Sequence, residues 1–365
     1  MHRVVLVVGT RPNMVKAAPL WRILQRHREQ FDTYLVDTGQ HYDYGLSGIF
    51  FDQLGLPSPY ACLGVDAGTS IEQIAGMMVE LEKVFLELQP HLVAVFGDVN
   101  SALAGALVAA RMRISIAHVE AGLRSFDYDM PEEINRILID RVADHLFVSE
   151  PSGQANLARE GVDATKLCYC GNIMIDSLVH ARAESRKSLI LDELRLEPKK
   201  YAVLTLHRPS NVDDPAILAS LVQTAVQIGS TVPVIFPCHP RTRKGLPQFT
   251  GVDNAVGGPL RIIEPLGYVD FLRLQSDALF VLTDSGGVQE ETTYLQVPCV
   301  TLRRNTERPV TVEVGSNVLA GTDPQAILAA VRSIMEGRQK IGRIPDLWDG
   351  RTAERVVQYL SRVLS

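Results

Sequence analysis

Cysteine is scarce in this chain: Cys62, Cys168, Cys170, Cys238 and Cys299 make five, an odd number, and three of them lie in apolar runs that read as strands or strand ends. That excludes a disulfide-stapled secreted scaffold and predicts free, mostly buried thiols. Cys168-Tyr169-Cys170 and Cys238-His239 match no common zinc spacing, so no metal is expected. Long hydrophobic runs are also missing. No stretch approaches the ~18–20 apolar residues that span a bilayer, and the opening MHRVVLVVGTRP is broken by Gly9 and Arg11, so it reads as a buried strand and not as a signal peptide. A membrane partner is not expected, and a cytoplasmic location follows. Nor is there an excess of positive charge. A formal charge of −6 argues against a nucleic-acid partner, because neutralising phosphates over a broad surface needs a basic excess. The chain contains no GxGxxG opening, which removes the main reason to expect a dinucleotide, and no cofactor is expected.

What is present is a soluble globular composition, with 46% hydrophobic and 21% charged residues over 365 positions, enough for two domains. Short β-branched runs alternate with longer helical patterns: RVVLVVGT, then a helix from Pro12; TYLVDTG; the helical SIEQIAGMMVELEKVFLEL; HLVAVFGD; ISIAHVEAG; HLFVSE; LCYCGN. Such alternation predicts parallel strands joined by crossover helices. After a charged helical segment over residues 176–200 the pattern restarts with YAVLTLHRP, PVIFPCHP, LRIIEP, ALFVLTDSGG and PCVTLRR. The openings even echo one another, Gly9-Thr10-Arg11-Pro12-Asn13 against Leu206-His207-Arg208-Pro209-Ser210-Asn211. The expected domains are 1–170 and 171–350, both doubly wound. The amphipathic helix of 351–365, apolar at 353, 356, 357, 360, 363 and 364, is expected to pack back on the first.

Ligands of open α/β sheets sit beyond the carboxyl ends of the strands, and every conspicuous polar cluster here follows a strand. If the loops of the two domains face one another, they line one cleft. Arg11 and Lys16 flank the start of the first helix, where both could approach an anion; as surface residues they would be two solvated charges. Asp98 follows the buried strand HLVAVFG and is equally placed to cap the next helix. In AHVEAGLRSFDYDMPEEINR, Glu120 ends a strand and Glu132 opens a helix, so Asp98, Glu120 and Glu132 could converge above the sheet. Carboxylates gathered in a concave site raise one another's pKa values, which suits one as base and one as acid. Glu132 and Glu133 also serve a helix start with no substrate at all. His207 ends the second domain's opening strand, a place for phosphate binding, for proton transfer or for a structural role.

In TDSGGVQEET, Ser285, Gly286 and Gly287 occupy a strand-to-helix turn whose unpaired N–H groups suit a phosphate. Glu291 lies one turn on, about 5–6 Å along the axis, where it can accept hydrogen bonds from a ribose diol. Phosphate followed by ribose describes a nucleoside diphosphate across the helix start. An ordinary capped helix with acidic residues near its positive end is the competing account.

Together these stretches resemble the UDP-N-acetylglucosamine 2-epimerases of the non-hydrolysing bacterial kind. The resemblance rests on GTRPNMVKAAPL, DTGQHYD, GDVNSALAG, AHVEAGLRS, MPEEINR, GNIMIDSL, LHRPSN, EPLGYVDFL, LTDSGGVQEET and TERPVTVEVGSN, in family order from residue 9 to about 317. It implies an α/β fold of two Rossmann-like domains facing across a cleft, the glycosyltransferase-B type, in a homodimer acting on a UDP-sugar. It also implies that Ser285, Gly286 and Gly287 meet the diphosphate and Glu291 the ribose, with Arg11 and His207 near the phosphates. Asp98, Glu120 and Glu132 match the family's catalytic carboxylates, and Lys16 a catalytically important lysine. The implied reaction is C2 epimerisation through elimination and re-addition of UDP. Departures exist. His207-Arg208-Pro209-Ser210-Asn211 replaces the common His-Arg-Arg-Glu, and Gln40-His41-Tyr42-Asp43 replaces the Gln-His-Arg of allosterically activated relatives, which speaks against such activation. The GQHYDY and GDVNSALAG versions also look like the branch acting on UDP-diacetamido-uronic acids. A hydrolysing 2-epimerase, a UDP-sugar glycosyltransferase and a nucleotide-sugar sensor are further alternatives, and the three carboxylates speak against the last.

Overall fold

The computed structural model describes residues 1–39, 51, 54–65, 68–246 and 258–364. The chain divides into two compact units, Met1–His180 with Asp346–Ser365, and Ala181–Pro345. The Gln40-His41-Tyr42-Asp43 segment singled out by sequence lies outside the described residues.

The first unit runs β1 (His2–Val8), α1 (Arg11–Arg26), β2 (Phe31–Asp37), β3 (Ala61–Cys62), α2 (Ser70–Leu88), β4 (Leu92–Phe96), α3 (Asn100–Met112), β5 (Ser115–Ala121), α4 (Pro131–Val142), β6 (His145–Val148), α5 (Pro151–Arg159), β7 (Leu167–Tyr169) and the start of α6 (Ile173–Ser185). Among the described residues its sheet has the order β3-β2-β1-β4-β5-β6-β7, parallel throughout. Strands covered by helices on both faces are apolar at consecutive positions, which is why Val4 to Val8 and Leu92 to Phe96 are all buried. Each Val, Leu or Phe side chain among them contributes roughly 1.5–3 kcal/mol of transfer free energy. Helix α2 forms where a capping box starts it: Glu72 N donates to Thr69 Oγ1 (3.3 Å), and Thr69 N to Glu72 Oε2 (2.7 Å). Its buried face, Met77, Leu81, Val84, Phe85 and Leu88, has helical spacing. The edge strands β3 and β7 have two and three residues, too short to template another strand.

The second unit runs α7 (Ile190–Glu193), β8 (Ala202–Thr205), α8 (Pro209–Val212), α9 (Pro215–Gly229), β9 (Val234–Pro237), α10 (Pro240–Gly245), β10 (Leu260–Ile263), α11 (Tyr268–Ser276), β11 (Phe280–Thr283), α12 (Gly286–Leu295), β12 (Cys299–Thr301), α13 (Pro309–Glu313), β13 (Asn317–Leu319) and α14 (Pro324–Met335). Its sheet order among the described residues is β10-β9-β8-β11-β12-β13, again parallel. Alternation across the strands feeds two cores. Ala202, Leu204, Phe236, Phe280 and Leu282 pack with α9 and α14 residues such as Leu221 and Ile327, while Tyr201, Val203, Ile235 and Val281 pack with Ile190, Leu274 and Val288.

Sequence places the domain boundaries at 170 and 350; contacts place them at His180/Ala181 and Pro345/Asp346. The closing helix α15 (Thr352–Val363) lies in the first unit and packs on α1. Asp176 of α6 caps it, accepting from Thr352 N (3.0 Å) and Ala353 N (2.7 Å). The buried indole of Trp348 donates to Ser149 O at 3.1 Å and fixes the entry to that helix. Val363 stays exposed, so the apolar stripe is shorter than its spacing predicts. No helix among the described residues is long and apolar enough to cross a membrane.

Candidate active site

A doubly wound sheet opens a crevice where the strand order reverses. In the first unit that place lies between β1 and β4, and in the second between β8 and β11. The two echoing openings, after β1 and after β8, therefore occupy corresponding places.

At the first reversal Gly9 leaves no room for a side chain, since a Cβ would meet Thr38 Oγ1 and Ser101 Oγ. Thr10 Oγ1 then donates to Asn13 Oδ1 (3.0 Å), and Asn13 Nδ2 to Phe96 O (2.7 Å), tying the start of α1 to the end of β4. Arg11 is the first residue of α1 and half-buried. Lys16 lies farther along the helix, buried, and its ammonium pairs with Glu120 Oε2 instead of staying at the helix start. Glu120 is the penultimate residue of β5, with φ +71°, where the register to β6 slips by a residue. Left-handed backbone costs a non-glycine residue of order 1–3 kcal/mol and concentrates at functional positions.

Gly97, with φ +63°, brings the β4 turn against this pair: a Cβ there would lie 2.8 Å from Lys16 Nζ and 3.3 Å from Glu120 Oε2. Asp98 follows. Its Oδ2 accepts from Arg136 Nη2 at 2.5 Å, and its carbonyl from Asn135 Nδ2 at 2.8 Å. Glu132 is half-buried in the first turn of α4, three and four residues before Asn135 and Arg136, and so shares their helix face. Glu133 is structural. It accepts from Ser125 N (2.8 Å), Ser125 Oγ (2.9 Å), Phe126 N (3.0 Å) and Arg136 Nη1 (2.8 Å), and folds the preceding loop onto α4. Beneath these residues His118, Asp140 and Arg124 form a buried network. Burial pushes the Asp140 carboxyl up, but the charges and hydrogen bonds of His118 and Arg124 outweigh it and hold the group below the usual carboxylate range.

At the second reversal Asp284, fully buried, organises the turn after β8. It accepts from His207 N (3.1 Å to each oxygen), Arg208 N (3.0 Å) and Asn211 Nδ2 (3.1 Å), and its Oδ1 lies 2.8 Å from His207 Nδ1. Burial raises this carboxyl, and His207 with the backbone donors more than offsets it, leaving a lowered pKa. With Nδ1–H directed at Asp284, the half-exposed ring presents Nε2 as its other nitrogen.

Ser285 caps α12, its N–H donating to Thr283 Oγ1 at 2.9 Å. The N–H groups of Gly286 and Gly287 fall outside the i→i−4 ladder by helix geometry. Gly286 also makes room for an internal anion, because its Cβ would lie 2.7 Å from Glu307 Oε1. Glu307 accepts a hydrogen bond from Arg208 Nη2 (3.2 Å) and is ion-paired with Arg303 Nη2 (2.8 Å), and Glu290 Oε1 is ion-paired with Arg308 Nε (2.5 Å). Three guanidiniums around two carboxylates thus gather near the start of α12. Glu291 is buried, its oxygens accepting from Tyr268 OH (3.0 Å) and Gln275 Nε2 (2.5 Å). Burial pushes its carboxyl up against those bonds, and each oxygen keeps a second lone pair. Among the described residues no group of three or more His, Cys, Asp and Glu side chains is arranged to hold a metal.

The structure therefore brings Lys16 to Glu120 and Asp98 beside them, places Glu132 on the α4 face that holds Asp98, and sets His207 over Asp284. It adds Arg136, Asn135, Tyr268, Gln275, Arg303, Glu307 and Arg308, which the motifs did not single out. MPEEINRILID carried a signal for the first two in its i+3 and i+4 spacing; TLRRNTERP showed only its density of Arg.

A family model described as UDP-N-acetylglucosamine 2-epimerase matches residues 23–361. The UDP-N-acetylglucosamine 2-epimerase of Methanocaldococcus jannaschii is 41% identical over 98% of this chain and 98% of its own length. The UDP-2,3-diacetamido-2,3-dideoxy-D-glucuronate 2-epimerase of Pseudomonas aeruginosa is 38% identical over 99% of this chain and 100% of its own. The crystal structure of the M. jannaschii UDP-GlcNAc 2-epimerase in complex with UDP-GlcNAc and UDP superposes with a TM-score of 0.90, at 39% identity over 99% of each chain. The two parallel α/β units are accordingly Rossmann-like domains of the glycosyltransferase-B type.

Proposed function

Because the chain belongs to the UDP-N-acetylglucosamine 2-epimerase family, a family of isomerases, we propose that it interconverts UDP-N-acetylglucosamine and UDP-N-acetylmannosamine by eliminating and re-adding UDP. The observation that carries this reading is the pair of carboxylates where β4 and β5 run out, Asp98 against Arg136 and Glu120 against Lys16.

The C2 proton of the sugar is not acidic, because C1 is an acetal carbon and not a carbonyl. Its removal must accompany cleavage of the C1–O bond. A carboxylate takes the proton, the C2–H electron pair becomes the C1=C2 double bond, and the C1–O pair leaves with UDP. In reverse, a proton delivered to the other face of C2 accompanies attack of a diphosphate oxygen on C1. Asp98, Glu120 and Glu132 move the protons, with Lys16 holding Glu120. Departing UDP is stabilised by Arg11, His207 and the Ser285-Gly286-Gly287 helix start, and Glu291 accepts from the ribose. Arg303 and Arg308 add positive charge near that helix.

A second reading, the same reaction on a UDP-2,3-diacetamido uronic acid, is favoured by the full-length Pseudomonas relative. Incubation with each UDP-sugar in deuterated water, followed by NMR, separates the possibilities. Deuterium at C2 with UDP still attached supports epimerisation of that sugar. Free N-acetylmannosamine indicates hydrolysis instead, and inertness toward both sugars contradicts the proposal. A homodimer is the proposed assembly, supported by exposed Ile71, Val79 and Leu86 on α2 and Ile134 and Leu138 on α4. Light scattering should give twice the chain mass; a monomer at micromolar concentration contradicts it.

A further inference from the structure

The turns that carry Asp98 and Glu120 are both pinned from below to one buried network. Gly97, immediately before Asp98, donates its N–H to Val119 O (2.9 Å), while His118 Nε2 lies 2.8 Å from its carbonyl. Gly122, two residues after Glu120, donates to Asp140 Oδ2 at 3.0 Å. The other oxygen, Asp140 Oδ1, lies 2.7 Å from His118 Nδ1. Arg124 Nη1 closes on Asp140 Oδ2 at 2.8 Å, and Arg124 is itself gripped by Glu160 through Nε (2.8 Å) and Nη2 (2.7 Å). His118 is wholly buried and Asp140 nearly so.

Charge this deep is costly unless it is paired and hydrogen-bonded on every side. The network meets that condition, and it reaches the turns that carry Asp98 and Glu120. Gly97 and Gly122 both lie at positive φ, +63° and +82°, and Glu120 between them at +71°. The glycines adopt that region freely, but Glu120, as a non-glycine residue, persists there only where its surroundings over-determine it. A main-chain shift at Gly97 would move Asp98 directly, and one at Gly122 would release Glu120.

We propose that His118 and Asp140 are positioning residues for Asp98 and Glu120, joined as a buried strut in which the imidazole donates from both nitrogens, to the Gly97 carbonyl and to the Asp140 carboxylate. The Gly97 carbonyl has no proton to give, so Nε2 carries one; Nδ1 faces a carboxylate and carries the other. The strut touches no substrate. It sets where two of the three proton-handling carboxylates stand, and this role rests on the epimerase reading above.

The test uses the whole chain. In the wild type, nitrogen-15 spectra of the histidines should show one solvent-protected imidazole with protons on both nitrogens; a buried ring with one bare nitrogen overturns the strut. An Asn amide replaces Nδ1 and a Gln amide Nε2, so His118→Asn keeps the bond to Asp140 and loses Gly97, and His118→Gln does the converse. His118→Asn should lower kcat by about 10- to 100-fold, the scale of a small misplacement of reacting groups. Its KM and UDP affinity should stay at wild-type values, and His118→Gln should recover part of the rate. A folded His118→Asn with wild-type kcat, or an equal loss in both variants, overturns the proposal. If the variants do not fold, the wild-type spectrum decides. Absence of C2 exchange in the wild type itself would remove the epimerase reading, while the spectrum would still test the strut.

Discussion

Asp98 and Glu120 differ less in their chemistry than in what holds them. Asp98 keeps some exposure and a guanidinium partner; Glu120 is buried on an ammonium, at a backbone angle that a non-glycine residue adopts only under constraint. Asp98→Asn keeps the shape and removes the basic oxygen. It should abolish C2 deuterium uptake, a loss of about 10²–10⁴-fold, and leave UDP binding by calorimetry at the wild-type value; unchanged exchange would remove Asp98 from the mechanism. Gly286 calls for a different measurement. An added Cβ would press on Glu307 Oε1 and disturb Arg208 and Arg303 with it. Gly286→Ala should therefore weaken UDP binding by about tenfold, ~1.4 kcal/mol, with the thermal midpoint little changed. Individual residues were legible in the sequence by their place at or just after the end of a strand, as with Asp98, Glu120, His207 and Ser285. Their partners were not, because Arg136 meets Asp98 across 38 positions and Glu307 meets Arg208 across 99, and no local pattern encodes such a meeting.

Most elements were legible for the opposite reason, since a strand buried on both faces or a helix with one apolar stripe carries its signature locally. The helical pattern of SIEQIAGMMVELEKVFLEL is α2 from end to end. Two strands escaped, the two-residue β3 and the three-residue β13, which are too short to show a period and sit at sheet edges. The docking of α15 on the first unit depends on Asp176, whose carboxyl burial pushes up to about 6 despite two backbone donors. A carboxyl raised in the folded state binds its proton more tightly there than in the unfolded chain. Its contribution is thus fully present below the unfolded value, near 4, and is lost as pH rises to about 6. The shift corresponds to at most about 3 kcal/mol. Urea unfolding at steps across that window should show wild-type stability falling relative to Asp176→Asn as pH rises. A constant difference between the two would show that Asp176 does not titrate there.

At the scale of the molecule, the chain carries net negative charge while its proposed substrate is an anionic nucleotide sugar. Attraction must then come from local structure: a helix start and three guanidiniums in the second unit, and Arg11 at a helix start in the first. Proton transfer is assigned to carboxylates of the first unit, most of the nucleotide contacts to the second. The division predicts that defects separate by unit, kcat falling for changes at Asp98 and UDP affinity for changes at Gly286. In the proposed reaction C2 deprotonation and C1–O cleavage occur together and are reversed by the same UDP. Substrate carrying oxygen-18 in the bridge between C1 and the β-phosphate tests it most directly. Rotation of the released diphosphate before re-addition should carry the label into non-bridging β-phosphate positions, in step with deuterium entering C2. Deuterium exchange at C2 with the label still wholly in the bridge would rule out C1–O cleavage coupled to deprotonation.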